Sequence, residues 1–346
     1  MRLERYCVRL LRSAILSNTA LKLTILLSSA GRRVELINCF REDARALGIE
    51  LRVVAADSNP LLSAACQLAD TSIAVPRCDR DDFIPRVREI CAAEQVDLLV
   101  PTIDPELVPL ARERAAFEAA GTRVVVSSLE TVAIARDKLR TAAFLAEAGI
   151  PAPRSVALAE LLAGRSALAF PIILKRIDGS SSIGVHEAHD IGAVRQLDLD
   201  AARYLAQEKW TGREYTINVF FDRAGRLRAA VPHWRCETRA GEVSKGRTER
   251  VPVLLELAAR LGSVLPGAEG PLCFQSMITR SGDAMIFEIN ARFCGGFPLA
   301  HRAGARFSRW LLEEAANLPS SAADIWQDGL TMLRYDAAVF SAADTK

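Results

Sequence analysis

The stretch Met285-Ile286-Phe287-Glu288-Ile289-Asn290-Ala291-Arg292 decides how the rest of this chain is read. As a strand it alternates, so Glu288, Asn290 and Arg292 point to one face. That face carries a carboxylate, an amide oxygen and a guanidinium. The two oxygens are hard ligands suited to Mg²⁺, and a guanidinium suits phosphate oxygens. Together they suggest a metal–nucleotide site with a cation ready to stabilise a phosphoryl group in transfer. Taken alone, the pattern also fits an edge strand with one solvated polar face. Three features elsewhere in the chain argue for the site.

The first is Lys175, which closes the apolar run Leu168 to Lys175 and enters the loop Asp178-Gly179-Ser180-Ser181-Ser182-Ile183-Gly184. Small residues let backbone N–H groups approach phosphate oxygens, and the lysine supplies charge. The second is Gln207-Glu208-Lys209-Trp210 followed by Gly212-Arg213-Glu214. An extended segment between sheets can offer its main chain to an adenine edge, and Glu214 can reach ribose hydroxyls. The third is Gln275, on the strand preceding Glu288, where antiparallel pairing would bring the two together. A flexible turn, a charged surface turn and a half-exposed strand are the plain alternatives for the three.

Around these features the chain divides. Short β-branched runs at 23–29, 51–56, 96–101 and 123–126 alternate with helical patterns at 34–47, 81–94 and 106–120. Such alternation predicts a doubly wound parallel sheet. Beyond it, a helix over 128–148 leads into a region of mostly antiparallel strands. These are a strand over 168–175 with a return at 185–188, a hairpin from Tyr215 to Val231, and a pair at 272–278 and 284–290. A helix over 251–265 lies between them, and a further strand is expected near Thr331. The expected units are a basic extension (1–21), an α/β domain (22–130), a small α+β lobe (131–205), a large α+β lobe (206–319) and a tail (320–346).

Composition narrows the function. The 346 residues are too many for one typical core, and the net charge of +2 gives no electrostatic case for nucleic acid or a membrane surface. Eight cysteines without a C-x-x-C pair, and only four histidines, argue against a zinc site or a disulfide framework and fit a reducing cytoplasm. No apolar run is long enough to span a bilayer. Arg9 and Arg12 interrupt the apolar spacing of the first twenty residues, which argues against a secretory signal; a basic amphipathic helix that touches a membrane or a partner stays open beside the favoured reading, a dispensable extension.

In this order the pieces resemble the ATP-grasp superfamily: a lysine before a Gly/Ser loop, an acidic hinge ending in Arg213-Glu214-Tyr215-Thr216, a Gln on one strand, and Glu288-Ile-Asn-Ala-Arg292 on the next. Ser29-Ala-Gly-Arg-Arg33, Pro101-Thr-Ile-Asp-Pro-Glu106, Arg136-Asp-Lys138, Ser244-Lys-Gly246 and Phe293-Cys-Gly-Gly296 are similar to stand-alone proteins like one half of the carbamoyl-phosphate synthetase large subunit. The resemblance implies a preATP-grasp domain followed by a two-lobed ATP-grasp fold. It also implies ATP with Mg²⁺ or Mn²⁺. Lys138 and Lys175 would contact phosphates beneath a lid formed by Ser180, Ser181, Ser182 and Gly184. Glu208, Lys209 and Trp210 would meet adenine, and Glu214 the ribose. Gln275, Glu288 and Asn290 would lie at the metal, and Arg292, with Lys175, would act on the transferred phosphoryl. Cys294 and Ala291 depart from the group, which often has glycine and proline there, but the charged residues are intact.

The implied activity is ADP-forming ligation of a small-molecule carboxylate to an amine or similar nucleophile. Two other readings stay open: a non-catalytic ATP-binding regulatory module, and carbamoyl-phosphate-type synthesis with a partner subunit. A nicotinamide enzyme would need G-x-G-x-x-G and a P-loop NTPase G-x-x-x-x-G-K-[ST], and neither occurs. A homodimer remains open as an assembly. The acceptor site is expected where the first domain's strand ends face the cleft, among Arg32, Arg33, Asp57, Asn59, Asp104 and Glu106, with His301 and Arg302 as further candidates.

Overall fold

The computed structural model describes residues 21–179 and 183–341. The first layer alternates β1 (Leu21–Ser28), α1 (Val34–Leu47), β2 (Ile49–Asp57), α2 (Ala64–Leu68), β3 (Thr71–Ala74), α3 (Phe83–Ala93), β4 (Leu98–Pro101), α4 (Leu107–Ala119) and β5 (Arg123–Val124). The strands form one parallel sheet in the order β3-β2-β1-β4-β5. Ile25, Leu26, Leu27, Val53, Val54, Leu98 and Leu99 are fully buried, as continuous apolar runs in a sheet covered on both faces must be. Helix α1 stops at Gly48, whose positive φ of 69° lets its N–H reach the Ala44 and Arg45 carbonyls. Two details differ from expectation. The first strand begins at Leu21, inside the segment assigned to the extension. The short edge strand β3 was not foreseen, because its four residues alternate between half-buried and exposed positions.

The helix expected over 128–148 is two helices, α5 (Leu129–Arg136) and α6 (Lys138–Glu147). Asp137 breaks it. Its backbone is extended, and its carboxylate accepts from the N–H groups of Leu139 and Arg140. This is the N-cap bonding that Asp favours over a mid-helix position. Next comes a small antiparallel sheet of β6 (Ser155–Ala157), β7 (Ile172–Arg176), β8 (His186–Ala188) and β9 (Tyr204–Glu208), in the order β6-β9-β7-β8. Helices α7 (Leu158–Leu162) and α8 (Ile191–Gln196) pack beside it. Its core is its own, built on Leu158, Leu161, Ile172, Leu174 and Val194.

The second antiparallel sheet has six strands: β10 (Arg213–Phe221), β11 (Leu227–Arg239), β12 (Glu242–Thr248), β13 (Gly270–Ile278), β14 (Ala284–Asn290) and β15 (Thr331–Leu333), ordered β14-β13-β10-β11-β12-β15. Helices α9 (Pro252–Val264), α10 (Phe297–Ala303) and α11 (Phe307–Ala315) complete this part. Its core is continuous with that of the first layer. An aromatic chain runs from Phe40 on α1 to Phe293, Phe297 and Phe307, with ring centroids 6.1, 4.7 and 5.3 Å apart. Phe220 and Trp310 extend it. Polar groups cross the same seam. Buried Asp43 accepts from His301 Nε2 at 3.0 Å and from Ser308 and Arg306. Arg123 reaches Glu269 at 3.1 Å and Glu314 at 2.7 Å.

Candidate active site

Strand pairing builds one polar face on the large sheet. Residues directly opposite in an antiparallel pair share a face. Gln275 on β13 lies opposite both Thr216 on β10 and Glu288 on β14, and Cys273 lies opposite Asn290. The expected meeting of Gln275 and Glu288 is therefore a cross-strand pair. A β-bulge between Gln275 and Ser276 leaves Phe287 as the extra residue on β14. Phe287 and Glu288, though adjacent, both line the same cavity. Bulges re-aim side chains in this way beside functional sites.

That cavity, about 350 Å³, lies between the two antiparallel sheets. Lys138 and Lys175 reach it from separate elements. Lys138 opens α6, so the Asp137 break delivers it, and its Nζ donates to the Gly179 carbonyl. Lys175, on β7, holds its Nζ 5.6 Å from the centre of the Phe287 ring. Burial pulls the Lys175 ammonium down to about 8, with Glu288 acting the other way. Glu208, Lys209, Trp210, Glu214, Gln275 and Glu288 line the same space. Glu208 is already engaged, since its carboxylate accepts from the Arg154 N–H at 3.0 Å. Lys209 pairs with Glu187 at 2.7 Å. Burial raises Glu214 above the usual carboxylate range, although Arg235 sits 3.0 Å away. Gly184, at φ 71°, needs to be glycine, because a Cβ there would lie 2.7 Å from the Tyr204 hydroxyl. Ser180, Ser181 and Ser182 lie outside the described residues.

Beyond Gln275 and Glu288 the cavity opens into an inner chamber of about 110 Å³, closed on the far side by Thr102, Ile103 and Asp104 of the first layer. Both Gln275 and Glu288 line the two spaces. Asn290 spans its neighbours: its amide nitrogen donates to Glu288 at 3.3 Å, and its oxygen accepts from Arg292 at 3.1 Å. Arg292 also donates to Asp104 at 2.7 Å and to the Phe293 carbonyl at 3.0 Å. Burial pushes the Asp104 carboxyl up, and Arg292 outweighs it, so Asp104 stays below its ordinary range. Phe293, the next residue, is locked into the aromatic seam, which fixes where the guanidinium can point.

Among the described residues, no group of three or more His, Cys, Asp or Glu side chains forms a metal cage. The donor set is instead one carboxylate and two amides. Mg²⁺ is commonly held by one or two carboxylates plus substrate phosphates, so Glu288 with Gln275 suits a metal that arrives with a nucleotide. The Asn290 oxygen, which accepts one hydrogen bond from Arg292, keeps a second lone pair that could join them.

Several acceptor-site candidates are structural supports. Asp57 accepts from the Gly31 and Asn59 N–H groups at 2.8 and 3.1 Å. Glu106 is fully buried and accepts from Thr102 and Ile103 N–H groups and the Ser29 hydroxyl. His301 and Arg302 belong to the seam around Asp43 and Glu42. Arg33 does reach the inner chamber. The sequence reading missed Arg235, buried between Glu214 and the Thr216 hydroxyl. It also missed Glu242 and Arg334, which meet at 3.3 Å. Arg235 was detectable only as the continuation of strand parity from His233.

Two family models match the chain: "PylC-like, N-terminal domain" over residues 25–125, and "ATP-grasp in the biosynthetic pathway with Ter operon" over residues 200–337. The D-alanine–D-alanine ligase of Ectopseudomonas mendocina is 29% identical over 227 residues, which cover 61% of this chain and 71% of that one. The carbamoyl-phosphate synthase of Methanobrevibacter smithii is 26% identical over 136 residues, 38% of this chain and only 37% of that protein. In fold, the chain is similar to the biotin carboxylase domain of Hydrogenobacter thermophilus 2-oxoglutarate carboxylase. The TM-score is 0.70 at 16% identity, covering 87% of this chain and 71% of the other.

Proposed function

We propose that this chain, whose residues 25–125 match a PylC-like N-terminal domain and 200–337 an ATP-grasp domain, is an ADP-forming ligase of the ATP-grasp superfamily that activates a small-molecule carboxylate for attack by an amine or similar nucleophile. A substrate carboxylate oxygen attacks the γ-phosphorus of ATP, the bond to the ADP oxygen breaks, and an acylphosphate results. The nucleophile's nitrogen then bonds to the acyl carbon, phosphate leaves, and the nitrogen gives up a proton. Bound Mg²⁺ would offset the repulsion between carboxylate and triphosphate.

The observation that carries this reading is the Gln275–Glu288 pair, because both side chains line the nucleotide-sized cavity and the inner chamber together. A group shared by both spaces sits where γ-phosphate and acceptor would meet. Lys138 and Lys175 supply the cationic wall for phosphates on one side. On the other, Arg292 stands beside the acceptor, ready to stabilise charge on the transferred group. Trp210 and Glu214 are assigned to adenine and ribose. The cysteines at described positions are unpaired, and no described helix is long and apolar enough to cross a membrane. The unpaired cysteines fit the proposed reducing, cytoplasmic setting.

The test is ADP release from Mg-ATP across pools of carboxylates and amines, with product mass read in parallel. Glu288→Gln should abolish release while the melting temperature stays near wild type. Arg292→Lys should lower kcat by roughly 10²-fold or more, on the scale of losing one transition-state donor, with ATP affinity little changed. Full ADP release by Glu288→Gln at saturating substrate would sink the assignment.

A further inference from the structure

On the other side of Glu242 and Gly295 lies an outer chamber of about 320 Å³, whose wall shares Arg33, Glu242 and Cys294 with the inner chamber. At this neck three guanidiniums converge on one carboxylate. Arg33 lies 3.0 Å from Glu242, Arg334 3.3 Å and Arg32 3.4 Å. The approach is close because residue 295 is glycine; a Cβ there would lie 2.5 Å from the Glu242 carboxyl carbon. Arg334 comes from the segment after β15 and is tied down by donating to the Gly295 carbonyl.

The charges at the neck do not balance. One carboxylate faces three guanidiniums, those of Arg33 and Arg334 partly enclosed and that of Arg32 65% exposed. The other acids on the chamber are Glu35 and Asp336, and Asp336 is 80% exposed and committed to Arg239 at the rim. Glu242 is enclosed by cations, so it is a poor receptor for a substrate ammonium. Four guanidiniums, Arg239 included, against three carboxylates leave a net positive wall that suits an anion. The inner chamber has room for little more than a carboxyl group, so the rest of any acid seated there must extend past Glu242.

We propose that the outer chamber is a second anion subsite: the acid activated beside Glu288 carries a further carboxylate or phosphate group, held by Arg32, Arg33 and Arg334. This names the substrate class for the ligase reading and rests on it. The closer group is the one phosphorylated, and the distal anion sets which acids enter.

The experiment is calorimetric binding of three probes to the full chain: glutarate, 4-phosphonobutyrate, and valerate as the monoanion of matching length. At least one dianion should bind about tenfold or more tighter than valerate, as expected for an added charged hydrogen-bonded contact. The tighter dianion identifies the distal group as carboxylate or phosphate. Arg334→Gln should remove most of that preference and leave Mg-ATP binding unchanged. Arg32→Gln, at a side chain 65% exposed and so harmless to folding, should reduce the preference in the same direction. Valerate binding as tightly as both dianions, neither dianion binding to wild type, or an undiminished preference in both variants would overturn the proposal. Failure of the ligase reading has a separate signature: no ADP release with any acid, while the dianion preference stands.

Discussion

The two antiparallel sheets enclose one cavity, yet they are anchored in different ways. The large sheet shares its core with the first layer. Phe40, Phe293, Phe297, Phe307, Phe220 and Trp310 run through the seam, and the Asp43 and Arg123 networks cross it. The small sheet has a separate core of aliphatic residues without a large aromatic. It meets the phosphate-side elements mainly through polar ties: the Lys138 N–H to the Ile177 carbonyl, and Lys138 Nζ to that of Gly179. Gln275, Glu288 and Asn290 lie on the large sheet, with Arg292 just past the end of β14. Lys175, assigned with Arg292 to the transferred phosphoryl, lies on the small one. The half that must hold reacting atoms still is fused to the rest, and the half that admits a nucleotide is independently packed.

The largest effect should come from breaking the seam. Trp310→Ala removes a ring centred 5.1 Å from Phe220 and 5.2 Å from Phe307, and should cost about 3–5 kcal/mol. Hydrogen exchange should then accelerate together in β1–β5 and β10–β14. Acceleration confined to α11 would show that the two layers are not one unit. Leu174→Ala, in the small sheet's core, should cost about 2–3 kcal/mol, because a small core collapses more readily around a lost side chain. Here faster exchange should stay within residues 155–208, and spreading into β13 would erase the contrast.

Acid should divide the sheets as well. His233 is fully buried on β11, and burial, with Arg235 and Arg334 nearby, pulls its imidazole down to about 3. The unfolded chain takes up that proton below about pH 6.5, whereas the folded chain does not until about 3. Stability is therefore present above the higher value and lost as pH falls through this window, by about 2 kcal/mol at pH 5. Denaturant midpoints at pH 7 and 5 should show the slope, and His233→Gln should flatten it. If the small sheet melts first at pH 5, the titration is elsewhere.

The smallest effect belongs to Lys175. Held near 8, it is charged at pH 6.5 and largely neutral at pH 9. Triphosphate binding would restore the charge, so ATP should bind with proton uptake near pH 8.5 and none at pH 6.5, its affinity weakening by at most about tenfold per pH unit above 8. Calorimetry in two buffers of different ionisation enthalpy reads this directly. Uptake that persists in Lys175→Met would assign the proton to another group.

What could be read from the sequence was parity. Glu288, Asn290 and Arg292 recur two residues apart, so their shared face was legible although the four residues before Glu288 are a continuous apolar run; Gln275 joined them through the expected antiparallel pairing. Beyond the Val231 end of the expected hairpin, β11 stays buried through His233, and only its last four residues are exposed. Only the parity running on from His233 pointed to Arg235, and the largely polar partner strand β12 carries no apolar alternation to mark Glu242. The Asp137 break was hidden because helical spacing continues across it. Asp57 and Glu106 looked like ligand-facing acids because strand ends carry both functional groups and loop supports, and only hydrogen-bond partners distinguish the two.

The bulge at Phe287 has a consequence for dissecting the site. Met285 lies opposite Met277 and Glu288 opposite Gln275, so the residue between Ile286 and Glu288 is surplus to the ladder. Deleting Phe287 outright, rather than substituting it, would restore plain two-residue alternation and keep Glu288 and Asn290 on their face. The shortened chain would lose the ring beneath Lys175 and also the bulge that turns Phe287 and Glu288 into one cavity. Deletion therefore tests the bulge, and substitution of Phe287 tests the ring alone.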